Sequence, residues 1–352
     1  MSITLFLIIS VIKSAVVIGI LLTAVAYSVW LERKVSARIQ NRWGPTRVGP
    51  FGLLQPLADG VKFIFKEDLT QPHVYKPIYI AAPILAVVFA ITSISVVPFG
   101  NSLNTPAISV GHWFTIPAID TPFQITDLNI GLLIVLGITS MGVYGVALAG
   151  WASNNKYSLL GGLRASAQMI SYEVSLGLSL IPVLIKSGSF SLRTIVESQA
   201  HLHWNFFYFP FGTLAFFTYI ISAYAETNRT PFDLPEAESE LVAGYHTEYS
   251  AMKFAMFFMA EYANMVTVAC LATLLFFGGW LGPIFGPAIL QMVLPIFWFC
   301  LKVFFFMFLY VWVRWTLPRF RYDQLMAFSW KFLLPVAVGN IVITALYVAL
   351  TS

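Results

Sequence analysis

This chain contains little charge and almost no cysteine. Asp, Glu, Lys and Arg together make up 10% of its 352 residues, whereas 58% are hydrophobic. Soluble domains carry roughly 25% charged residues, so this composition excludes a soluble fold and indicates an integral membrane protein. The two cysteines, Cys270 and Cys300, lie in apolar segments without metal-ligand spacing. We therefore interpret both as apolar packing residues, not as a disulfide or a metal centre.

Signatures of soluble nucleotide-binding and hydrolytic enzymes are also missing. The sequence contains no phosphate-cradling glycine loop, no dinucleotide fingerprint, no CxxC and no nucleophile elbow. His201 and His203 form an H-x-H without a further ligand nearby, so we expect no metal to be bound there. The formal net charge of +4 reflects membrane topology and does not indicate nucleic-acid binding.

Long apolar runs are the main feature of the sequence. A helix needs about 20 such residues to cross a bilayer, whereas barrel strands are about ten residues long and alternate in polarity. Eight runs qualify: 5–30, 77–99, 130–150, 163–185, 206–225, 249–278, 288–312 and 328–350. The first is too long for a signal-peptide core, so we interpret it as a retained span. The sequence predicts an all-α membrane protein, a single polytopic domain over residues 1–352 with eight transmembrane helices.

Basic residues predict the orientation of this bundle. Of the 20 Lys and Arg residues, 16 lie in or beside the odd-numbered loops, eight of them around the first loop. Because such residues accumulate on the cytoplasmic or matrix side, loops 31–76 and 226–248 are predicted to lie inside. Eight spans place both termini on one side, so we expect both termini outside.

A surface helix is predicted within the first inner loop. In FGLLQPLADGVKFIFK, residues 51–66, apolar and polar positions separate at helical spacing. A basic face of this kind suits anionic lipid headgroups, which makes a membrane-surface anchor the simplest interpretation. Asp59 on the polar face gains nothing from anionic lipid, so it indicates an additional role.

One loop concentrates the acidic residues. The segment ETNRTPFDLPEAESELVAGYHTEY, residues 226–249, holds six of the 16 carboxylates, opposed only by Arg229. Helix capping accounts for Asp233 and Glu236, and a solvated acidic loop is the simpler alternative for the remainder. A crowded carboxylate cluster perturbs its own protonation, however, which favours a function in handling protons or cations.

Ionisable residues inside the predicted spans support that second interpretation. Glu173 lies nine residues beyond Arg164 in the fourth span, about 13 Å deep at the helical rise of 1.5 Å per residue. Glu261 lies about as far into the sixth span, and Glu226 ends the fifth. Such carboxylates are costly in a bilayer and are functional candidates. Lys302, in the seventh span, is a candidate partner of a carboxylate or a proton carrier.

Two long motifs identify a family. The stretches ERKVSARIQNRWGPTRVGPFGLLQPLADGVKFIFKED and ETNRTPFDLPEAESELVAGYHTEY resemble the signature loops of the quinone-site membrane subunit of respiratory complex I, the subunit 1 family of proton-translocating NADH–quinone oxidoreductase. The likeness extends over nearly the whole chain and includes RASAQMISYE in the fourth span. The resemblance implies a subunit whose substrate is ubiquinone or menaquinone. NADH, FMN and iron–sulfur clusters would lie on partner subunits, and this chain would bind neither flavin nor metal.

The same resemblance implies roles for particular residues. Those implied to form the quinone site are Glu32, Arg33, Arg42, Asp59, Asp233, Glu236, Glu238 and Glu240. The implied proton path consists of Glu173, Glu226 and Glu261, with Arg164 and Arg229 as charge partners. Expected partners are the other complex I membrane subunits, the peripheral-arm quinone-site subunits and the lipid bilayer, and no nucleic acid. The expected location is the bacterial inner (plasma) membrane or, alternatively, the mitochondrial inner membrane.

Two other functions fit parts of the sequence. A membrane subunit of an energy-converting hydrogenase or ferredoxin-dependent complex would share the carboxylates but would not need a quinone cavity. A stand-alone ion-coupled transporter is disfavoured because no internal repeat is visible and the inner surface is highly charged.

Overall fold

The computed structural model is an antiparallel helix bundle. It describes residues 3–351 except 101, 106–107, 111–113, 117–118, 123, 234–241 and 286–287. The helices are α1 (Ile3–Ile39), α2 (Gln55–Phe65), α3 (Lys76–Ser93), α4 (Gly131–Ala152), α5 (Lys156–Ser187), α6 (Leu192–Glu197), α7 (Phe211–Glu226), α8 (Ala251–Phe276), α9 (Ala288–Thr316), α10 (Tyr322–Phe328) and α11 (Leu334–Thr351). A π-helical turn, Ser329–Leu333, joins α10 to α11 without a break.

Seven helical segments in the described part of the chain are long and apolar enough to cross a membrane. They are α1, α3, α4, α5, α8, α9 and the continuous segment 322–351. The predicted fifth span, 206–225, is shorter than expected because its first residues form a 3-10 turn, Asn205–Phe207, before α7 starts at Phe211. The all-helical membrane architecture is thus confirmed, while the count of eight spans remains a prediction.

Four short strands interrupt the long connection between α3 and α4. The strand β1 (Ser102–Thr105) pairs antiparallel with β4 (Ile119–Pro122), and β2 (Ile108–Val110) pairs antiparallel with β3 (Phe114–Ile116). Sequence analysis did not foresee these strands, because strands of three or four residues are too short to show an alternating pattern.

Packing centres on α5. It lies against α4, α7 and α11, while α3 bridges α4 to α8, and α8 contacts both α1 and α9. Close approach depends on Gly161 in α5, because a Cβ added there would lie 2.6 Å from the Cα of Gly244. That contact seats the 3-10 turn Gly244–His246, the end of the acidic loop, directly on α5 and α4.

The bundle has two chemically different ends. At one end α1, α4, α7 and α9 finish and α3, α5 and α8 begin, so the loops 40–75 and 227–250 meet there; we call this the charged end. At the opposite far end, α8 finishes and α9 begins. Helix α2 lies at the charged end against α1 and α8, with Leu57, Ile64 and Phe65 exposed at 67%, 68% and 84%. The predicted amphipathic helix is thus confirmed, while its position on the membrane surface stays a prediction.

Candidate functional site

Glu32 is held by three side chains from distant parts of the sequence. It lies on α1 near the charged end, where its Oε1 accepts a hydrogen bond from Arg314 of α9. The Tyr262 hydroxyl of α8 donates to Glu32 Oε2 at 2.6 Å, and Arg229 Nη1 lies 3.6 Å from the same oxygen. Sequence analysis assigned Glu32 to the quinone site through the family resemblance but predicted none of these partners. Its surroundings show that it is the outer member of a buried ion-pair cluster.

Arg229 joins Glu32 to the second buried carboxylate. Its side chain is 6% exposed, and its Nε lies 2.5 Å from Glu261 Oε1 while its guanidinium stacks 4.2 Å from the centre of the Tyr262 ring. We define the buried quartet as Glu32, Glu261, Arg229 and Arg314, of which Arg314 is the most exposed, at 29% of its side chain. Two carboxylates and two guanidinium groups balance in formal charge. Adding or removing one charge would therefore leave another unpaired in a region of low dielectric constant.

The sequence positions Arg229 through the RASAQMISYE motif of α5. Gln168 in that motif is fully buried, and its Nε2 lies 2.7–3.1 Å from three oxygens, those of Ala225, Asn228 and Phe232. These acceptors flank Arg229 on both sides. The motif therefore fixes the chain that leaves α7 and directs Arg229 toward Glu32 and Glu261.

Asp233 lies beside the buried quartet and pairs with Arg319. Sequence analysis counted Arg319 only among the basic residues that set the membrane orientation. Arg319 Nη2 lies 3.3 Å from Asp233 Oδ2, and the Asp233 side chain is buried. The Phe232 and Phe320 rings stack at 5.6 Å, which brings the two segments together. Glu236, Glu238 and Glu240 lie within 234–241, outside the described residues. The helix that Asp233 is predicted to cap would begin in the same segment, so that prediction also lies outside the described residues.

Of the other predicted quinone-site residues, Arg33 and Asp59 form an ion pair and Arg42 stands apart. Arg33 Nη1 lies 2.7 Å from Asp59 Oδ2, and Gln55 donates to the other Asp59 oxygen at 3.0 Å. This pair explains the acidic residue on the basic face of α2, because it ties that helix to the end of α1. Arg42 is exposed and donates to Gln40 at 2.7 Å, apart from the pair.

A small cavity connects Glu226 with Glu261. It has a volume of about 40 Å³ and is bounded by Glu226, Glu261, Thr227, Asn228 and Asn264, with apolar side chains from α3, α4 and α5. A water needs only about 10–15 Å³ of such volume and two to four polar partners. Asn264 Oδ1 is buried and accepts no hydrogen bond from the described residues. The cavity can therefore hold water between Glu226 and Glu261.

Glu173, the deepest predicted carboxylate, is half-buried on α5. It is within hydrogen-bonding range of Ser140 on α4, and its charge acts on Glu226. Arg229 thus joins Glu32 to Glu261, the small cavity joins Glu261 to Glu226, and Glu226 is within electrostatic reach of Glu173. Arg164 lies apart from this series, with its guanidinium 5.5 Å from the centre of the Tyr322 ring.

Among the described residues Lys302 pairs with no carboxylate, so the first of its two predicted roles is not seen, and the second, as a proton carrier, stays a prediction. Its Nζ donates to three backbone carbonyls, those of Phe277, Gly279 and Leu281, at 2.7–2.9 Å. These carbonyls follow the last turn of α8, where backbone oxygens lack partners within the helix. Lys302 caps the far end of α8 and is remote from the carboxylates of the charged end.

The last part of the acidic loop is structural. Glu248 accepts from Asn155 Nδ2 at 2.7 Å, and its backbone carbonyl accepts from the Tyr79 hydroxyl at 2.6 Å. Beside it, His246 is buried among the rings of Tyr245, Phe254, Phe257 and Phe258. Burial lowers the pKa of His246 to about 3, because the apolar surroundings penalise the imidazolium. His246 is therefore neutral at physiological pH.

An apolar cavity of about 300 Å³ opens beside Glu32. It lies between α1, α8 and α9, and its walls include Trp30 and Leu31, the two residues that precede Glu32. Cys270 and Cys300 both face it as free thiols. Within the described residues, no group of three or more His, Cys, Asp or Glu side chains is arranged to hold a metal ion.

Sequence reasoning missed Tyr262, Asn264, Arg314 and Arg319 as site residues. Proximity in sequence gave one usable signal, because Tyr262 and Asn264 lie within three residues of Glu261. Nothing local marked the two arginines, because topology-setting positive charge accounted for both.

Comparison with known proteins identifies relatives along the whole chain. A family model described as NADH dehydrogenase matches residues 12–345. The H 2 subunit of NADH-quinone oxidoreductase from Koribacter versatilis is 68% identical, with 99% of each chain covered. The corresponding H 1 subunit from Solibacter usitatus is 51% identical over 99% of this chain and 98% of the relative. The H 1 subunit from Geobacter sulfurreducens is 49% identical over 97% of this chain and 95% of the relative.

Proposed function

Because this chain belongs to the NADH dehydrogenase family, we propose that it is the membrane subunit of a proton-translocating NADH–quinone oxidoreductase. It contributes part of the quinone-binding chamber and the adjoining proton path, and it couples quinone reduction to proton pumping. The chain carries no redox centre of its own. Electrons reach quinone from NADH through FMN and iron–sulfur clusters on partner subunits.

The observation that carries this proposal is the unbroken series of charged groups from Glu32 to Glu226. Arg229 contacts both Glu32 and Glu261, at 3.6 and 2.5 Å, and the small cavity joins Glu261 to Glu226. A charge change beside Glu32 alters the ion pairs of Arg229 and hence the charge that Glu261 can hold. Water in the cavity then provides a route for the proton between Glu261 and Glu226.

Quinone binding is supported by the apolar cavity beside Glu32. Its volume of about 300 Å³ suits part of an isoprenoid tail, and its end at Trp30 and Leu31 directs the headgroup toward the buried quartet. Arg33 and Asp59 tie α2 over the same end of α1. We propose that these residues, with Asp233 and the loop 234–241, surround the reducible ring, with Arg42 toward the surface.

We further propose eight membrane passes with both termini outside. Helix α7 is about 24 Å long at 1.5 Å per residue, and it runs between the same two ends as its neighbours α5 and α8. Counting it as a span keeps successive long helices antiparallel. The basic loops then face the cytoplasm of a bacterium, where the peripheral-arm subunits dock on the charged end and the other membrane subunits lie alongside.

Substitution of the buried carboxylates tests the proposal. We expect Glu261→Gln and Glu173→Gln, each in the intact complex reconstituted into liposomes, to depress both quinone reductase activity and coupled proton pumping. The matched control is Glu197→Gln, which removes an exposed carboxylate at the far end that pairs with Arg193 at 2.9 Å. Normal pumping in both buried variants would contradict the proton path.

A further inference from the structure

Lys302 places a positive charge at the far end of the bundle without a carboxylate beside it. Its three hydrogen bonds go to carbonyls, and no salt bridge to it occurs among the described residues. The ammonium also lies 4.8 Å from the centre of the Trp204 ring. The three carbonyls take up all three N–H donors of the ammonium but leave its formal charge, so Lys302 acts on a ligand only through the electrostatic attraction of an anion.

Two adjoining cavities meet at this lysine. The larger, about 670 Å³, is lined by the segment 200–204, the turn after α8 and the first half of α9. The second, about 380 Å³, is walled by Phe304, Phe305 and Phe308 and is almost wholly apolar. Both include Leu301 and Lys302, so they form one surface: a wide compartment with a cation, continued by a phenylalanine-lined groove along α9.

Polar groups of the wide compartment are suited to a phosphate. His201 and Lys302 are its titratable residues, and no carboxylate lines it. The Trp204 indole N–H donates no hydrogen bond within the described part of the chain, although the residue is partly buried. Trp204 and Trp298 line the compartment together, and tryptophans are enriched at the depth of lipid headgroups.

The walls are fixed by buried hydrogen bonds. Gln199 Oε1 accepts from the backbone N–H groups of Asn205 and Gly278, at 3.2 and 3.0 Å, and its Nε2 donates to the Leu274 carbonyl at 2.8 Å. Gly278, at φ +67°, leaves room for Trp204, since a Cβ there would lie 2.9 Å from the indole nitrogen. The compartment therefore exists before any ligand binds.

We propose that this surface binds one anionic phospholipid. The phosphodiester headgroup occupies the compartment near Lys302, His201 and the Trp204 N–H, and an acyl chain lies in the phenylalanine-lined groove. The proposal is independent of the quinone and proton functions, because the surface lies at the opposite end of α8 from the buried quartet. Charge complementarity selects phosphatidylglycerol-type lipids over zwitterionic ones of the same chain length.

Photocrosslinking in the intact complex tests this assignment. Phosphatidylglycerol and phosphatidylcholine with identical diazirine-bearing acyl chains would each be incorporated into proteoliposomes of the complex. Labelling of residues 301–308 would then be quantified by peptide mapping. We expect several-fold more label from phosphatidylglycerol, and a smaller preference at high salt. Equal labelling by the two lipids would show ordinary annular contact, and no labelling would show a covered surface; either overturns the proposal.

Two variants test the groups that would bind the headgroup. Trp204→Phe retains a ring under Lys302 but removes the N–H donor, and Lys302→Gln retains donors for the carbonyls but removes the charge. Both are expected to lower the preference for phosphatidylglycerol. Trp312→Phe, the same kind of substitution at the other end of α9, is the matched control and should leave it unchanged. If Lys302→Gln prevents assembly, Trp204→Phe decides alone, and an unaltered preference in that variant contradicts the site.

Discussion

Arg229 and Glu261 join the acidic loop to the membrane interior, with Nε and Oε1 2.5 Å apart. The arginine follows the end of α7 by three residues, whereas the glutamate lies within α8. Both side chains are almost fully enclosed. The contact makes the protonation of Glu261 depend on where Arg229 lies, and Arg229 in turn also faces Glu32.

Removing Arg229 should damage the complex more than removing any exposed arginine. Arg229→Met leaves Glu32 and Glu261 without their shared cation, and breaking a buried ion pair costs about 3–5 kcal/mol. We expect a lower Tm of the purified complex and loss of quinone reductase activity. Arg193→Met, which breaks the exposed pair with Glu197, should cost about 0–1 kcal/mol. Equal Tm values for the two variants would contradict the buried quartet.

Asn264 should matter for pumping because it borders the small cavity. Asn264→Leu keeps the branched shape but is bulkier and withdraws the buried polar atom, so water would be held less well between Glu226 and Glu261. We expect proton pumping per quinone reduced to fall several-fold in proteoliposomes. Met265→Leu changes a buried neighbour that does not line the cavity and should pump normally. A normal ratio in Asn264→Leu would place the proton route elsewhere.

The contact between Arg33 and Asp59 should be recoverable by exchanging the charges. Arg33→Asp and Asp59→Arg each place like charges together, at a contact that spans 2.7 Å in the wild type. Each should raise the KM for quinone, because α2 is no longer held over the end of α1. The double variant restores the opposite charges and should recover part of the affinity. Arg47→Asp, at an exposed position of the same loop, serves as the control. Failure of the exchange would mean that the two residues act separately.

His246 should make stability fall in mild acid. Burial lowers its pKa in the folded protein to about 3 from the ordinary 6.5. The unfolded chain therefore takes up a proton below pH 6.5 and the folded chain does not until near pH 3. Stability is fully present above pH 6.5 and declines below it, by up to about 1.4 kcal/mol per pH unit.

The measurement is the Tm of the complex between pH 7.5 and 5. We expect a smaller acid-induced decrease for His246→Phe than for the wild type, since the phenyl ring does not titrate. His203→Gln, at an exposed position, should follow the wild type. Parallel curves for His246→Phe and the wild type would show that other groups control the acid sensitivity.

Several features of the fold were predictable because they are local. Run length and polarity placed the long helices, and the spacing of Leu54, Leu57, Val61, Ile64 and Phe65 predicted α2. The fifth span was misjudged in extent, because hydropathy does not register the 3-10 turn before α7. The short strands between α3 and α4 were missed for a similar reason, since three or four residues show no reliable period.

Of the candidate site, the sequence determined which groups are ionisable and that Glu173 and Glu261 lie in apolar helices. Only the tertiary structure decided their partners. Glu32, Tyr262 and Arg314 meet although up to 282 positions separate them, and no helical period relates such residues. Lys302 illustrates the same limit: its sequence position suggested a carboxylate partner, but the packing of α9 against the end of α8 supplied carbonyls instead. Chain composition fixes the membrane environment and the available charges, whereas helix packing determines which charges neutralise one another.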